Sequence, residues 1–240
     1  MPKRSIFLAT ANSKAIVAIA AYFSGTESIP SVIRSKGDYT TLFSSKPDFV
    51  FFQGDWVDSK TVVRLVQFKD ESPKTKFFSL GETNSAGFVW DGSIEFPIDE
   101  KAFRKTILAK AEFPDPIRLL VISKQPQLMG TIKDYFEARQ NPGFRVMEAA
   151  EETKIAKHFE SNPPHCLMVD SSTFDGGAEL FRRFEKKGFR IPAIVFTHMA
   201  AADQILGIRK WKAPVFMELN HVFDSMPDLL AVVKKLVIFS

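Results

Sequence analysis

The chain has 240 residues, 45% hydrophobic and 25% charged, and its 32 Lys and Arg against 28 Asp and Glu give a net charge of +4. These proportions are ordinary for a globular chain and allow one large domain or two small ones. They exclude a disordered polymer, and acids interspersed among the bases argue against a nucleic-acid-binding face.

Ile6–Ala9 reads as a buried strand and Ser13–Phe23 as a helix. A short strand (31–33), a short helix (39–44), a strand (49–52), a helix (60–68) and a strand (76–80) follow. The next stretch holds Gly81, Asn84, Gly87 and Gly92 and leaves little room for a helix before a strand over 93–96 and a helix over 101–109. Ala111-Glu-Phe-Pro-Asp-Pro116 then breaks the pattern, because two prolines in three positions cannot continue a helix.

The second half repeats the order. Strands are predicted at 117–122, 144–147, 166–169, 191–196 and 215–217, separated by helices over 128–138, 151–160, 178–187 and 200–210 and closed by one over 227–237. Strands alternating with helices of this length imply parallel βαβ units. The expected architecture is α/β: two (βα)5 flavodoxin-like domains, 1–112 and 117–240, joined by a short linker at 113–116. Each is a five-stranded parallel sheet with helices on both faces, and the fourth helix of the first is shortened.

The 24 Phe against three Tyr and three Trp point to apolar packing more than to ligand hydrogen bonding. Cys166, the one cysteine, excludes an intramolecular disulfide and sits in an apolar strand, which suits a cytoplasmic protein. No apolar run approaches the roughly 20 residues that span a bilayer, so no membrane insertion is expected. The four His show no metal-ligand spacing, and no nucleophile elbow, Gly-rich phosphate loop or DNA-binding motif is present. No cofactor, no metal and no nucleic-acid partner are expected.

Two stretches carry a family resemblance: "CLMVDSSTFDGGAELFRRF" from Cys166 and "IPAIVFTHMAAADQILGIRKWKAPVFMEL" from Ile191. Together with the (βα)5 order they resemble the receiver domain of bacterial response regulators. The resemblance implies a phosphoacceptor aspartate ending the third strand, a Mg²⁺-binding acidic pair after the first, a switch Thr or Ser ending the fourth and a lysine ending the fifth. In the second half the acceptor position is Asp170 and the switch position Thr197, while the acidic pair falls on Ser123 and Lys124 and the lysine on Glu218. In the first half the pair falls on Thr10 and Ala11, the acceptor on Gln53, the lysine on Phe96 and the switch on either Ser79 or Gly81. Asp55 comes two residues too late to serve as acceptor.

Both halves are therefore expected to be degenerate pseudo-receivers, and the expected function is a non-enzymatic signalling adaptor that binds protein partners independently of phosphorylation. The alternatives are an atypical response regulator weakly phosphorylated at Asp170, and a small-molecule or nucleotide-binding module. In this family the helix 4–strand 5–helix 5 face commonly mediates dimerisation or output. Here that is Ala200–Val237, with Trp211 as a possible anchor and a homodimer as a possible product.

Overall fold

A computed structural model describes residues 4–37, 39–82, 87–173, 178–189, 191–197 and 215–240. The helix expected over Ala200–Lys210 and the anchor Trp211 lie outside these residues. Two compact units emerge, a first reaching to Ala111 and a second running from Glu112 to Ile238. Phe113 packs against the core of the second unit, and Asp115 Oδ1 accepts the Gly143 N–H at 3.1 Å. These residues of the expected linker thus belong structurally to the second unit.

The first unit is built from β1 (Ile6–Ala9), α1 (Ser13–Phe23), β2 (Pro30–Ile33), α2 (Thr40–Ser45), β3 (Phe49–Gln53), α3 (Ser59–Glu71), β4 (Lys76–Leu80), β5 (Gly92–Ile94) and α4 (Glu100–Leu108). Its sheet is wholly parallel with order β2-β1-β3-β4-β5. The second unit follows with β6 (Ile117–Ile122), α5 (Pro126–Glu137), β7 (Phe144–Ala149), α6 (Glu152–Ser161), β8 (Cys166–Asp170), α7 (Ala178–Lys186), β9 (Ala193–Thr197), β10 (Val215–Glu218), a single turn α8 (Leu219–Val222) and α9 (Met226–Phe239). Its order, β7-β6-β8-β9-β10, is the same. This 2-1-3-4-5 order defines the flavodoxin-like doubly wound sheet.

Helix starts follow local chemistry. Asn12, Asp58 and Asp99 each cap a helix by accepting an N–H three residues on, from Ala15, Thr61 and Ala102. Pro126 sits in the first turn of α5, where its missing N–H costs nothing.

The central strands β1 and β8 are buried throughout, and β6 at every residue but the half-buried Arg118, as parallel strands covered on both faces must be. In the second unit, Ile117, Leu119 and Val121 face α5 and α9 through Leu128, Ile132, Leu229 and Val233. Leu120 and Ile122 face α6 and α7 through Ile155, Phe159, Leu180 and Phe184. Alternation along β3 sends Phe49 and Phe51 to one face of the first sheet and Val50 and Phe52 to the other. Phe51 stacks on Phe78 at 5.3 Å and meets Phe103 of α4 at 5.6 Å, while Phe52 joins Phe77, Leu65 and Phe68. Much of the phenylalanine excess is thus spent on both faces of one sheet.

Between β4 and β5 the described residues form no helix. Residues 87–91 act instead as a strap. Phe88 packs edge-on against Phe77 at 5.3 Å and Trp90 against Phe88 at 4.8 Å. Lys69 of α3 donates to the Val89 carbonyl at 2.7 Å and pairs with Asp91 at 3.3 Å. Asp91 Oδ2 also accepts the N–H of the fully buried Phe77 at 2.8 Å. Asp91→Ala would leave that N–H without its acceptor and should lower stability by about 1–3 kcal/mol. The check is the urea midpoint of the first unit at unchanged slope; a wild-type midpoint would show that the strap contributes nothing.

His165, just before β8, accepts the Arg118 backbone N–H at Nδ1 (3.1 Å), and its backbone N–H donates to the Arg118 carbonyl at 2.8 Å. Burial first, and then the Arg118 charge, lowers its pKa from 6.5 to about 4. The folded protein therefore favours neutral imidazole, and between those two values the unfolded chain binds more protons. His165 contributes its full stability above pH 6.5 and loses it progressively as the pH falls toward 4. Melting temperature measured across this window should decline toward acid less steeply in His165→Asn than in wild type.

Candidate functional site

In doubly wound sheets, ligands and chemistry gather at the carboxyl ends of the strands, at the switch point between the first and third. In the second unit that switch point lies between β6 and β8. Ile122 pairs with Val169 in register, so Ser123 and Asp170 leave neighbouring strands side by side. Both are 0% exposed. The Ser123 hydroxyl donates to Asp170 Oδ2 at 2.8 Å, and its oxygen accepts the Gln125 N–H at 2.9 Å. Gln125 Nε2 donates to the same Oδ2 at 3.0 Å. Asp170 Oδ1 accepts from the Ser172 N–H at 2.9 Å and from the Ser172 hydroxyl at 2.7 Å. Thr173 completes the tie, donating its N–H to the Asp170 carbonyl and accepting the Lys124 N–H at Oγ1.

The remaining expected positions lie along the same edge. Asp170 pairs with Phe196 in register, which puts the largely buried Thr197 one residue beyond it. Thr197 pairs with Glu218, the exposed residue that ends β10. The lysine position thus presents a carboxylate beside the switch hydroxyl.

The first unit reproduces the core of this arrangement. Thr10, 0% exposed, donates its hydroxyl to Gln53 Oε1 at 2.6 Å and accepts the Asn12 N–H at 3.0 Å. The Ala11 N–H donates to the same Oε1 at 3.1 Å, which fixes the orientation of the Gln53 amide. The backbone N–H of Thr10 reaches the Ile33 carbonyl just as that of Ser123 reaches Ala149. Asp55 is exposed on the single 3₁₀ turn Gly54–Trp56.

Register resolves the choice between Ser79 and Gly81. Gln53 pairs with Leu80 as Asp170 pairs with Phe196, so the counterpart of Thr197 is Gly81, which has no hydroxyl. Leu80 pairs with Ile94, so the same count places Glu95 opposite Gly81 where Glu218 stands opposite Thr197. Phe96 is one residue further, past the end of β5, and the strand expected over 93–96 stops at Ile94. Gly81 has φ +72, and a Cβ there would lie 3.1 Å from the Phe96 ring. A cleft of about 470 Å³ opens here, lined by Gly81, Glu82, Ser93, Glu95 and Phe96.

Mg²⁺ takes hard oxygen ligands, carboxylates above all. Around Asp170 the places of the acidic pair hold a hydroxyl and a cationic side chain. The groups already bonded to the carboxylate present protons, the wrong polarity for a cation. Among the described residues no three or more His, Cys, Asp or Glu cluster to hold a metal. The residues present do not fit the ion. Complete burial pushes the Cys166 thiol up to about 12, which disfavours the reactive thiolate.

Gln125, Ser172 and Thr173 did not stand out in the sequence. A signal existed nonetheless: a hydroxyl residue followed two positions later by an amide residue after each first strand, Thr10-Ala-Asn12 and Ser123-Lys-Gln125.

No protein-family model and no curated protein matches the chain. Among solved structures it is similar to the response regulator domain of Thermotoga maritima CheB, at 20% identity and TM-score 0.43 over 51% of this chain and 96% of that one. It is also similar to the HemR receiver domain of Leptospira biflexa (21% identity, TM-score 0.42, 50% and 94% covered). A third is the Francisella response regulator 1452 receiver domain (15%, 0.41, 49% and 96%). By its strand order each half has the flavodoxin-like α/β fold, with polar groups where the first and third strands end, β1 and β3 in the first sheet and β6 and β8 in the second.

Gly81→Ala would force a side chain into the left-handed region and against the Phe96 ring. It should cost about 1–2 kcal/mol, visible as a lower urea midpoint, whereas Gly130→Ala, with nothing within 4 Å of its Cβ, should not lower it.

Proposed function

We propose that this chain is a non-catalytic signalling adaptor, made of two pseudo-receiver domains that bind protein partners independently of phosphorylation. One observation carries the reading: both oxygens of the Asp170 carboxylate already accept two hydrogen bonds each, in a residue that is 0% exposed. To accept a phosphoryl group, one of those oxygens must shed its donors and reach phosphorus. The phosphate would bring about −1.5 to −2 charge to an edge whose fourth and fifth strands end in Thr197 and Glu218.

The helix 4–strand 5–helix 5 face is the proposed partner surface, and a homodimer is one product it allows. Its described part includes Phe223, 47% exposed; Trp211, the proposed anchor, lies outside the described residues. Among the described residues no helix is long and apolar enough to cross a membrane, and a cytoplasmic location is proposed. A second reading, binding of a small molecule, is favoured by the cleft beside Gly81 and Phe96. A thermal-shift screen with Phe96→Ala as control checks it.

The direct test is incubation of the full chain with acetyl phosphate and Mg²⁺, followed by intact mass measurement. In transfer, an Asp170 oxygen would bond to phosphorus as the acetyl–phosphate bond breaks and acetate leaves. The expected result is no adduct. A phosphate adduct in wild type that disappears in Asp170→Asn would overturn the proposal in favour of a weakly phosphorylated regulator.

A further inference from the structure

We infer that the hydroxyls of Thr10 and Ser123 stand in for a divalent cation, so that the carboxyl-end edge of each domain keeps one arrangement with no ion bound. The inference rests on the receiver-like reading of this edge and extends it to how the edge is held. A cation at such an edge would draw together two loops and the side chain ending the third strand. Here a single hydroxyl has that part. Its proton goes to the acceptor oxygen, Gln53 Oε1 or Asp170 Oδ2, and its lone pair takes the N–H two residues on, from Asn12 or Gln125. The backbone N–H of the same residue joins the second strand, at Ile33 or Ala149. Three segments converge on one buried residue.

The two domains reach this geometry with different residues, which separates the requirement from the accident. Thr serves in one and Ser in the other; the acceptor is a neutral amide in one and a carboxylate in the other. What is shared is one O–H donor, one acceptor oxygen and one N–H. A net charge at the acceptor is not part of it, so the first domain offers a cation no carboxylate at this position. In the second, the cation would have to displace the Ser123 and Gln125 donors that hold Asp170.

The test restores the need for an ion. Ser123→Asp places a second carboxylate against the buried Asp170, a like-charge pair. Melting of the full chain is followed in EDTA and in millimolar Mg²⁺. Wild type should melt at the same temperature in both. Ser123→Asp should melt several degrees lower in EDTA and recover saturably with Mg²⁺. Ser123→Thr should follow wild type, since Thr already has this part at position 10. A wild-type melting point that climbs with Mg²⁺, or Ser123→Asp as stable as wild type in EDTA, would overturn the inference.

Should Ser123→Asp fail to fold in either condition, the first domain decides. Thr10→Val keeps shape and loses the hydroxyl, whereas Thr10→Ser keeps the hydroxyl. Exchange of the Asn12 amide hydrogen should quicken about tenfold in Thr10→Val, the scale of one lost hydrogen bond, and stay at the wild-type rate in Thr10→Ser. Equal exchange in both variants would overturn the inference. A phosphate adduct on wild-type Asp170 would instead overturn the adaptor reading and leave these comparisons standing.

Discussion

A parallel sheet sends all its strands out of the same edge, and the polar groups that end its central strands have no helix above them to satisfy them. Buried polar groups must find partners within reach. In each half of this chain the solution is one hydroxyl immediately past the first strand, aimed at the side chain that ends the third. The loop after the first strand, the start of the first helix and the end of the third strand all take their positions from it. In the second half Asp170 also fixes Ser172 through its side chain and Thr173 through its backbone carbonyl, so that residues 171–173 turn back onto it.

The rest of each domain is apolar packing that delivers these few groups to one place. The second half does it with aliphatic strands between two helical layers. The first does it with phenylalanines on both faces of its sheet, and that choice bears on the strap between β4 and β5. Phe77 is covered by Phe88 of a short strap, with Trp90 laid against Phe88, and Lys69 and Asp91 tie that strap to α3 and β4. The edge near β5 is thereby left open, and the cleft beside Phe96 occupies it.

Much of this organisation was legible in the order of residues. β1, β4 and β6 have the bounds their apolar runs predict, because a buried parallel strand is written as a continuous hydrophobic block. Ends governed by side-chain chemistry were less visible. α3 begins at Ser59 because Asp58 caps it, and α5 begins at Pro126, two residues before its first apolar position. β7 runs on to Ala149 because pairing with Leu120 to Ile122 continues past the expected end at Met147. The 3₁₀ turn at Gly54–Trp56 and the single turn at Leu219–Val222 carry no periodic signature at all. At the site, Ser123 and Thr10 were found as positions where acids should stand. Their shared role as hydrogen-bond bridges was not, because spacing shows that two side chains are neighbours but not which atom gives the proton.

The aromatic choice in the first domain has an optical side. The chain has three tryptophans. Trp56 is 8% exposed in the first core, and Trp90 lies edge-on to Phe88 within the strap. The third, Trp211, belongs to the second half of the sequence. Intrinsic emission from positions 56 and 90 therefore reports on the first domain alone, with Trp90 answering to loosening of the strap and Trp56 to loss of the core. The two domains carry separate built-in probes, and replacing Trp211 by phenylalanine would make the chain's fluorescence a meter of its first half.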